Sequence, residues 1–274
     1  MRRRLPAVFV LAVLVLAGCG SKPSATGVFL EAEPPLAPSA APSPTSAPSP
    51  APVQGGLKTI DYTPAPKGFP ADPDSSSTAQ ITEGLHVTRK TPVYDAPGGA
   101  ARAYLAPTIS GVQLIMPIVA HQADWVAVLL PSVNRTVGWL PPGNYTTTKL
   151  RDQLIVDKSD HTLTWRRDGA AKGSWTVTLG AAKTPTPLGR TFVLGHSTLP
   201  GKVYAGVDAL ALGAVPDDPD AVATGLKGAH IGIHAWYKDD FGYNKSNGCV
   251  RMPKLAQQTL LSELPAGTPI VVVA

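Results

Sequence analysis

The sequence predicts a mainly β protein: two β-rich units in succession, the second with one short helix, set behind a proline-rich stretch. Three observations carry that reading. Short runs of branched and aromatic residues, closed by Gly, Pro, Asn or Asp, recur from about Ile81 to the C-terminus. A helical period shows once, after Cys249. The prolines, 29 in all, are unevenly spread, and residues 20 to about 56 are dominated by Pro, Ala, Ser, Gly and Thr, a composition that cannot bury a core.

Residues 1–18 read as an export signal. Arg2, Arg3 and Arg4 precede an apolar run from Leu5 to Ala17, shorter than the roughly 20 residues a membrane-spanning helix needs. The run ends in Leu16-Ala17-Gly18-Cys19, which resembles the bacterial lipobox. That resemblance implies lipidation of Cys19 and anchoring at the outer face of the cytoplasmic membrane, facing the wall; an ordinary signal peptide with an incidental cysteine is the alternative. The only other cysteine is Cys249. With Cys19 lipidated no disulfide can form, and Cys249 is left a lone exported thiol. Removing residues 1–18 leaves 21 Lys and Arg against 19 acids, so the formal charge falls from +5 to +2. No basic stripe remains, and nucleic acid is excluded as a partner.

Residues 19–80 are expected to form a tether. As a coil, some 60 residues span on the order of 45 Å. Leu57 to Tyr62 could dock on a folded unit.

A first β unit is expected over 81–147. Thr91-Pro92-Val93-Tyr94 leads into the turn Asp95-Ala96-Pro97-Gly98-Gly99. Val112 to Ala120, Trp125 to Leu130 and Val137 to Leu140 read as strands. The order of a Val-Tyr-x-x-Pro-Gly start, a Trp-Val-x-Val strand and a Gly-Trp-Leu finish resembles bacterial SH3-like domains and implies a small β-barrel. Trp125 and Trp139 are read as core packing rather than as a binding surface.

The second unit, 148–274, opens with strands at Gln153 to Val156, His161 to Trp165 and Ser174 to Leu179. Turns fall at Lys158-Ser159-Asp160 and Arg167-Asp168-Gly169. After the cysteine, Pro253 suits a first helical turn, with Leu255, Leu260, Leu261 and Leu264 on one apolar side. Gly267-Thr268-Pro269 breaks the helix, and Ile270 to Val273 makes the last strand.

The chemistry concentrates in Ile231-Gly232-Ile233-His234 and Ser246-Asn247-Gly248-Cys249-Val250-Arg251-Met252. Strand alternation puts Ile231 and Ile233 on one face, and His230, Gly232 and His234 on the other. A thiol in a loop that opens a helix has free N–H groups around it, which lower its pKa and can hold an oxyanion. A histidine from a neighbouring strand can take the thiol proton, the arrangement used for acyl transfer.

These segments resemble the YkuD-type L,D-transpeptidases. That family's signature is a strand histidine, a loop, then Ser/Thr-His-Gly-Cys, an aliphatic residue and usually Arg or Asn. Thr184 to Phe192 is similar to the family's Thr-Pro-x-Gly-x-Phe/Tyr stretch, and Gly267 to Val271 to its final strand. The resemblance runs from about Lys149 to the end and departs at Asn247, where the family often has His. It implies a β-sandwich with a short helix after the cysteine. It also implies Cys249 as nucleophile and His234 as the base that moves the thiol, of ordinary pKa about 8.5, toward thiolate at neutral pH. The Gly248 and Cys249 amides would hold the oxyanion, and Ser246, Asn247 and Arg251 would meet substrate. Peptidoglycan stem peptides follow as partners and carbapenem-type β-lactams as inhibitors, with no cofactor. The implied product is a 3→3 cross-link; water as acceptor would make the same site a carboxypeptidase.

Other readings stay open. His230, His234 and Cys249 could suggest zinc, with only His196 or Asp240 available as a fourth ligand, and no metal is expected. His86, His121 and His161 read as isolated surface groups. Trp236, Tyr237, Phe241 and Tyr243 could form a lid or merely pack their loop. A non-catalytic wall-binding protein is the alternative from another functional class, suggested by Asn247 and the extra β unit.

Overall fold

The computed structural model describes residues 47–61, 64–132, 135–198, 201–213 and 231–274. The export signal, Cys19 and His230 lie outside them.

Nine short strands build the first β unit: β1 (Glu83–Val87), β2 (Thr91–Tyr94), β3 (Ala101–Leu105), β4 (Thr108–Ile109), β5 (Val112–Gln113), β6 (Met116–Gln122), β7 (Trp125–Leu129), β8 (Val137–Leu140) and β9 (Tyr145–Lys149). Seven of them form an antiparallel sheet in the order β3-β2-β8-β7-β6-β1-β9, curled into a barrel-like unit; β4 and β5 make a separate hairpin. The expected strand from Val112 to Ala120 is thus two, β5 and β6. Leu85, Val87, Val93, Leu105, Met116 and Leu140 fill the interior. Trp125 is 1% exposed and meets Tyr94 edge-on, with ring centroids 5.2 Å apart. Trp139 is half-buried.

The second unit carries β10 (Asp152–Asp157), β11 (Thr162–Arg167), β12 (Ala170–Thr176), β13 (Leu179–Gly180), β14 (Gly189–Ser197), β15 (Ala209–Leu212), β16 (Gly232–Ala235), β17 (Asn244–Ser246), β18 (Val250–Met252), α1 (Lys254–Glu263) and β19 (Pro269–Val273). Eight strands form a mixed sheet, β12-β11-β10-β19-β14-β15-β16-β18, in which β10–β19 and β16–β18 are parallel. The Asp168-Gly169 turn is realised with both residues at positive φ, 51° and 80°, the conformation a two-residue hairpin requires.

One face of α1 covers this sheet through Ala256 and Leu260. Leu255, expected on that face, is 78% exposed, and its inward place is taken by Gln257. The Gln257 amide donates to the carbonyls of Ile233 and Asp208, both at 3.0 Å. A polar residue takes the inward place because it supplies donors to those two carbonyls.

Strand β14 serves two cores at once. Val193 packs with Leu154, Ile233 and Val250, while Phe192 and Leu194 on its other face join Leu105, Leu114 and Met116 of the first unit. Strand alternation is what lets one segment do both. The described part of the expected tether also packs here. Ile60 is 2% and Phe69 9% exposed. Pro48 accepts a hydrogen bond from the Trp125 indole at 2.9 Å, the Ile60 amide donates to the Tyr104 carbonyl while the Tyr104 amide donates to the Lys58 carbonyl, and Pro70 accepts from Val137. Asp72 makes a bidentate ion pair with Arg190 of β14, both side chains almost fully buried. Read from composition, residues 47–80 look like spacer, but Ile60, Ala65 and Phe69 join the core of the first unit.

Candidate active site

The parallel pairing of β16 with β18 positions the site. Ile233 lies opposite Val250 and His234 opposite Arg251. Cys249 is the residue immediately before β18, alongside Gly232. It does not open the helix: β18 intervenes, and α1 starts only after Pro253. The expected helix-terminus effect on the thiol is therefore absent from this arrangement.

The loop 246–249 is held from within and from behind. Ser246 is fully buried. Its hydroxyl accepts the Gly248 amide at 3.2 Å and donates to the Cys249 carbonyl at 2.5 Å. Thr184 donates to the Ser246 carbonyl at 3.1 Å, and Thr186 donates to the Gly248 carbonyl at 2.9 Å while accepting the Gly180 amide at 2.9 Å. Gly248 has φ 104°, and a Cβ there would come within 2.6 Å of Ile231, so only glycine fits.

Two expectations change as a result. Ser246 was expected to touch substrate, but its hydroxyl is spent on the loop. Gly248 was expected to hold an oxyanion, but its amide is bonded to Ser246, which leaves the Cys249 amide as the one of the pair not engaged by the loop. Asn247 sits exposed between the buried Ser246 and Gly248.

His234 is 4% exposed. Its Nδ1 lies 2.8 Å from the Ala235 carbonyl. A carbonyl only accepts, so Nδ1 carries the proton and Nε2 is the free basic nitrogen. The Tyr204 ring packs edge-on against the imidazole at 5.0 Å and Trp236 at 6.1 Å. Burial, first, pushes the imidazole pKa down to about 4, with nearby Arg251 adding to the fall and the Ala235 bond opposing it. Burial likewise pushes the Cys249 thiol up, against the Gly232 backbone bond and the Arg251 charge. At neutral pH both groups are therefore uncharged. The expectation of a resting thiolate is overturned, because desolvation outweighs the neighbouring dipoles and cation.

Arg251 is half-buried. Its guanidinium lies 3.7 Å above the Trp236 ring, and its backbone exchanges two 2.9 Å bonds with Thr178. Tyr237 and Tyr243, each 51% exposed, project from the same 236–243 loop into solvent. Among the described residues no group of three or more His, Cys, Asp or Glu comes together as metal ligands would, and His196 is exposed on β14. Of the histidines read as isolated, His86 bonds the Leu114 carbonyl at 3.0 Å and His121 pairs with Glu83 at 2.8 Å.

Sequence reasoning missed Thr186, Gln257, Thr178 and Tyr204 as parts of this region. Only the Thr-Pro-Thr-Pro segment carried a signal, through the family it resembles.

The site thus combines a cysteine on a buttressed loop, a neutral buried imidazole on the adjacent strand, and a mostly β frame with one short helix. Residues 151–272 match the family model of the L,D-transpeptidase catalytic domain, YkuD. The chain carries an L,D-transpeptidase catalytic domain. Among solved structures it is similar to an L,D-transpeptidase from Mycobacterium tuberculosis H37Rv (14% identity, 84% of this chain and 98% of that one, TM-score 0.37). It is also similar to one from Mycobacterium smegmatis (16%, 58% and 77%, TM-score 0.36) and to the catalytic domain of the E. faecium enzyme (22%, 44% and 96%, TM-score 0.33). No curated protein matches the chain.

Proposed function

We propose that this protein is a lipid-anchored peptidoglycan L,D-transpeptidase that forms 3→3 cross-links through an acyl-thioester on Cys249. The observation that supports the reading is the β16–β18 register, in which His234 lies opposite Arg251, two residues after Cys249. As substrate docks, Nε2 of neutral His234 takes the thiol proton. Sulfur attacks the carbonyl of the third stem residue, and the C–N bond to the terminal D-alanine breaks. The imidazolium returns its proton to the departing amine. The Cys249 amide stabilises the tetrahedral oxyanion, a role typically worth about 3 kcal/mol. A side-chain amine of a second stem then displaces the sulfur and completes the cross-link. With Cys19 lipidated, the domain works from the outer membrane face toward the wall. Carbapenems, as strained acyl donors, would trap the same thiol.

The test is incubation of the purified chain with a defined disaccharide tetrapeptide and mass analysis of the products. A dimer with one D-alanine lost supports the reading. Loss of D-alanine without dimer points to carboxypeptidase action, and an unmodified peptide overturns both.

A further inference from the structure

Gln257 on α1 is completely buried, and its side-chain amide reaches two separate parts of the site. Nε2 donates to the carbonyl of Ile233, which belongs to the peptide unit leading into His234, and to the carbonyl of Asp208, both at 3.0 Å. Asp208 ends a short segment that opens with the 3-10 helix Lys202–Tyr204. The segment is folded on itself: the Ala205 amide donates to the Lys202 carbonyl at 3.0 Å and the Val207 amide to the Tyr204 carbonyl at 3.1 Å. It carries the Tyr204 ring, which lies edge-on to the His234 imidazole with centroids 5.0 Å apart. One amide group thus joins the strand that bears the imidazole to the segment that bears the ring packed against it.

The other half of the side chain shows why this bond is more than packing. Gln257 Oε1 is buried without a partner, a state that lowers stability. Burial alone favours an apolar side chain here; the two donated bonds are what a glutamine adds. We propose that Gln257 is a positioning residue for the His234 base: by bonding Ile233 and Asp208 at once, it keeps the imidazole packed against Tyr204 and away from water. The assignment of His234 as base rests on the transpeptidase reading, and Gln257 acts through that imidazole rather than on substrate. Without the two bonds, β16 and the 202–208 segment can part, water reaches the ring, and the desolvation that keeps it neutral is relieved. Arg251 acts on the imidazole from β18, with Cys249 just before that strand, and Tyr204 meets it from the 202–208 segment; the Gln257 amide itself is neutral.

The test uses the full chain with Gln257→Met, which keeps the volume and removes the donor. Leu260→Ala, cut from the same buried face of α1, controls for lost packing. Two quantities are measured: the imidazole titration of His234 by NMR, assigned by its disappearance in His234→Gln, and the pH dependence of Cys249 acylation by a carbapenem. In wild type and in Leu260→Ala the His234 resonance should titrate at about 4, and acylation should change by less than about twofold between pH 7 and pH 5. In Gln257→Met the resonance should titrate near about 6, and acylation should be about tenfold slower at pH 5 than at pH 7, the loss expected when a base of that pKa is protonated. Gln257→Asn, one methylene too short to span both carbonyls, is measured alongside in case the methionine variant does not fold, and should behave likewise. A folded Gln257 variant that titrates as wild type does, or a Leu260→Ala chain that shows the same change, overturns the proposal. So does failure of both Gln257 variants to fold, which would make the residue structural. Failure of the transpeptidase reading shows separately, as a wild-type chain that the carbapenem does not acylate while the His234 resonance still moves with Gln257.

Discussion

Thr186 donates its hydroxyl hydrogen to the carbonyl of Gly248, one residue before the cysteine, at 2.9 Å. The same oxygen accepts the Gly180 amide, so one buried side chain fastens the cysteine loop to β13. Thr186→Val keeps the shape and removes both bonds, leaving a buried N–H and a buried C=O without partners. The expected cost is about 2–4 kcal/mol of stability, with carbapenem acylation of Cys249 slowed by about tenfold or more as the loop loosens. Thr186→Ser should restore both. Thermal unfolding and timed intact-mass measurements check the pair of effects together.

The neutral state of His234 has consequences for pH. Its folded pKa, about 4, lies below the 6.5 of the exposed group, so the unfolded chain binds the proton more readily. The stabilisation from keeping the imidazole neutral is complete above about pH 6.5 and is lost as pH falls through about 4; its full size is roughly 3 kcal/mol. Unfolding free energy measured between those limits should therefore drop on acidification, and His234→Gln should flatten that part of the profile. Because the base stays unprotonated, acylation by a carbapenem should hold nearly constant from about pH 7 down to about pH 5. A rate that falls tenfold over that span would mean that the imidazole titrates near its ordinary value.

Much of this was legible in the sequence and some was not, for identifiable reasons. Ile231 and Ile233 alternate with Gly232 and His234, and strand β16 follows that period. The Asp168-Gly169 turn and the strand at Ile270 to Val273 were equally plain. What periodicity cannot report is desolvation, which depends on what covers a group after folding; hence the inverted expectation for the Cys249 thiol. Nor can it separate a serine that meets substrate from one that, like Ser246, closes its own loop. Leu255 fitted a helical stripe and still faces solvent, because Gln257 answers two carbonyls that no sequence pattern announces.

The Asp72–Arg190 pair is a second testable feature. Both side chains are almost fully buried, so removing one partner strands a charge. Arg190→Met should destabilise by about 3–5 kcal/mol, whereas the double change Asp72→Leu with Arg190→Met should recover most of that loss, since well-packed apolar groups often match a buried ion pair. Denaturant titrations of the two variants beside wild type decide it. A double variant no better than the single one would show that the pair fixes the geometry of β14 rather than merely cancelling charge.

The stretch before residue 81 allows the clearest contrast between composition and packing. If it were spacer, truncating its apolar side chains would cost nothing, because a solvated chain has no cavity to leave behind. In the structure Ile60 and Phe69 belong to the same core as Leu105 and Met116. Ile60→Ala should cost about 2–5 kcal/mol and Phe69→Ala about 3–5, the range for side chains cut from a packed interior. Val53, 40% exposed in the same stretch, supplies the control, and Val53→Ala should change stability by less than about 0.5 kcal/mol. If all three substitutions leave the melting temperature where it was, the segment is not docked in solution, and Asp72 cannot be held against Arg190 in the way described.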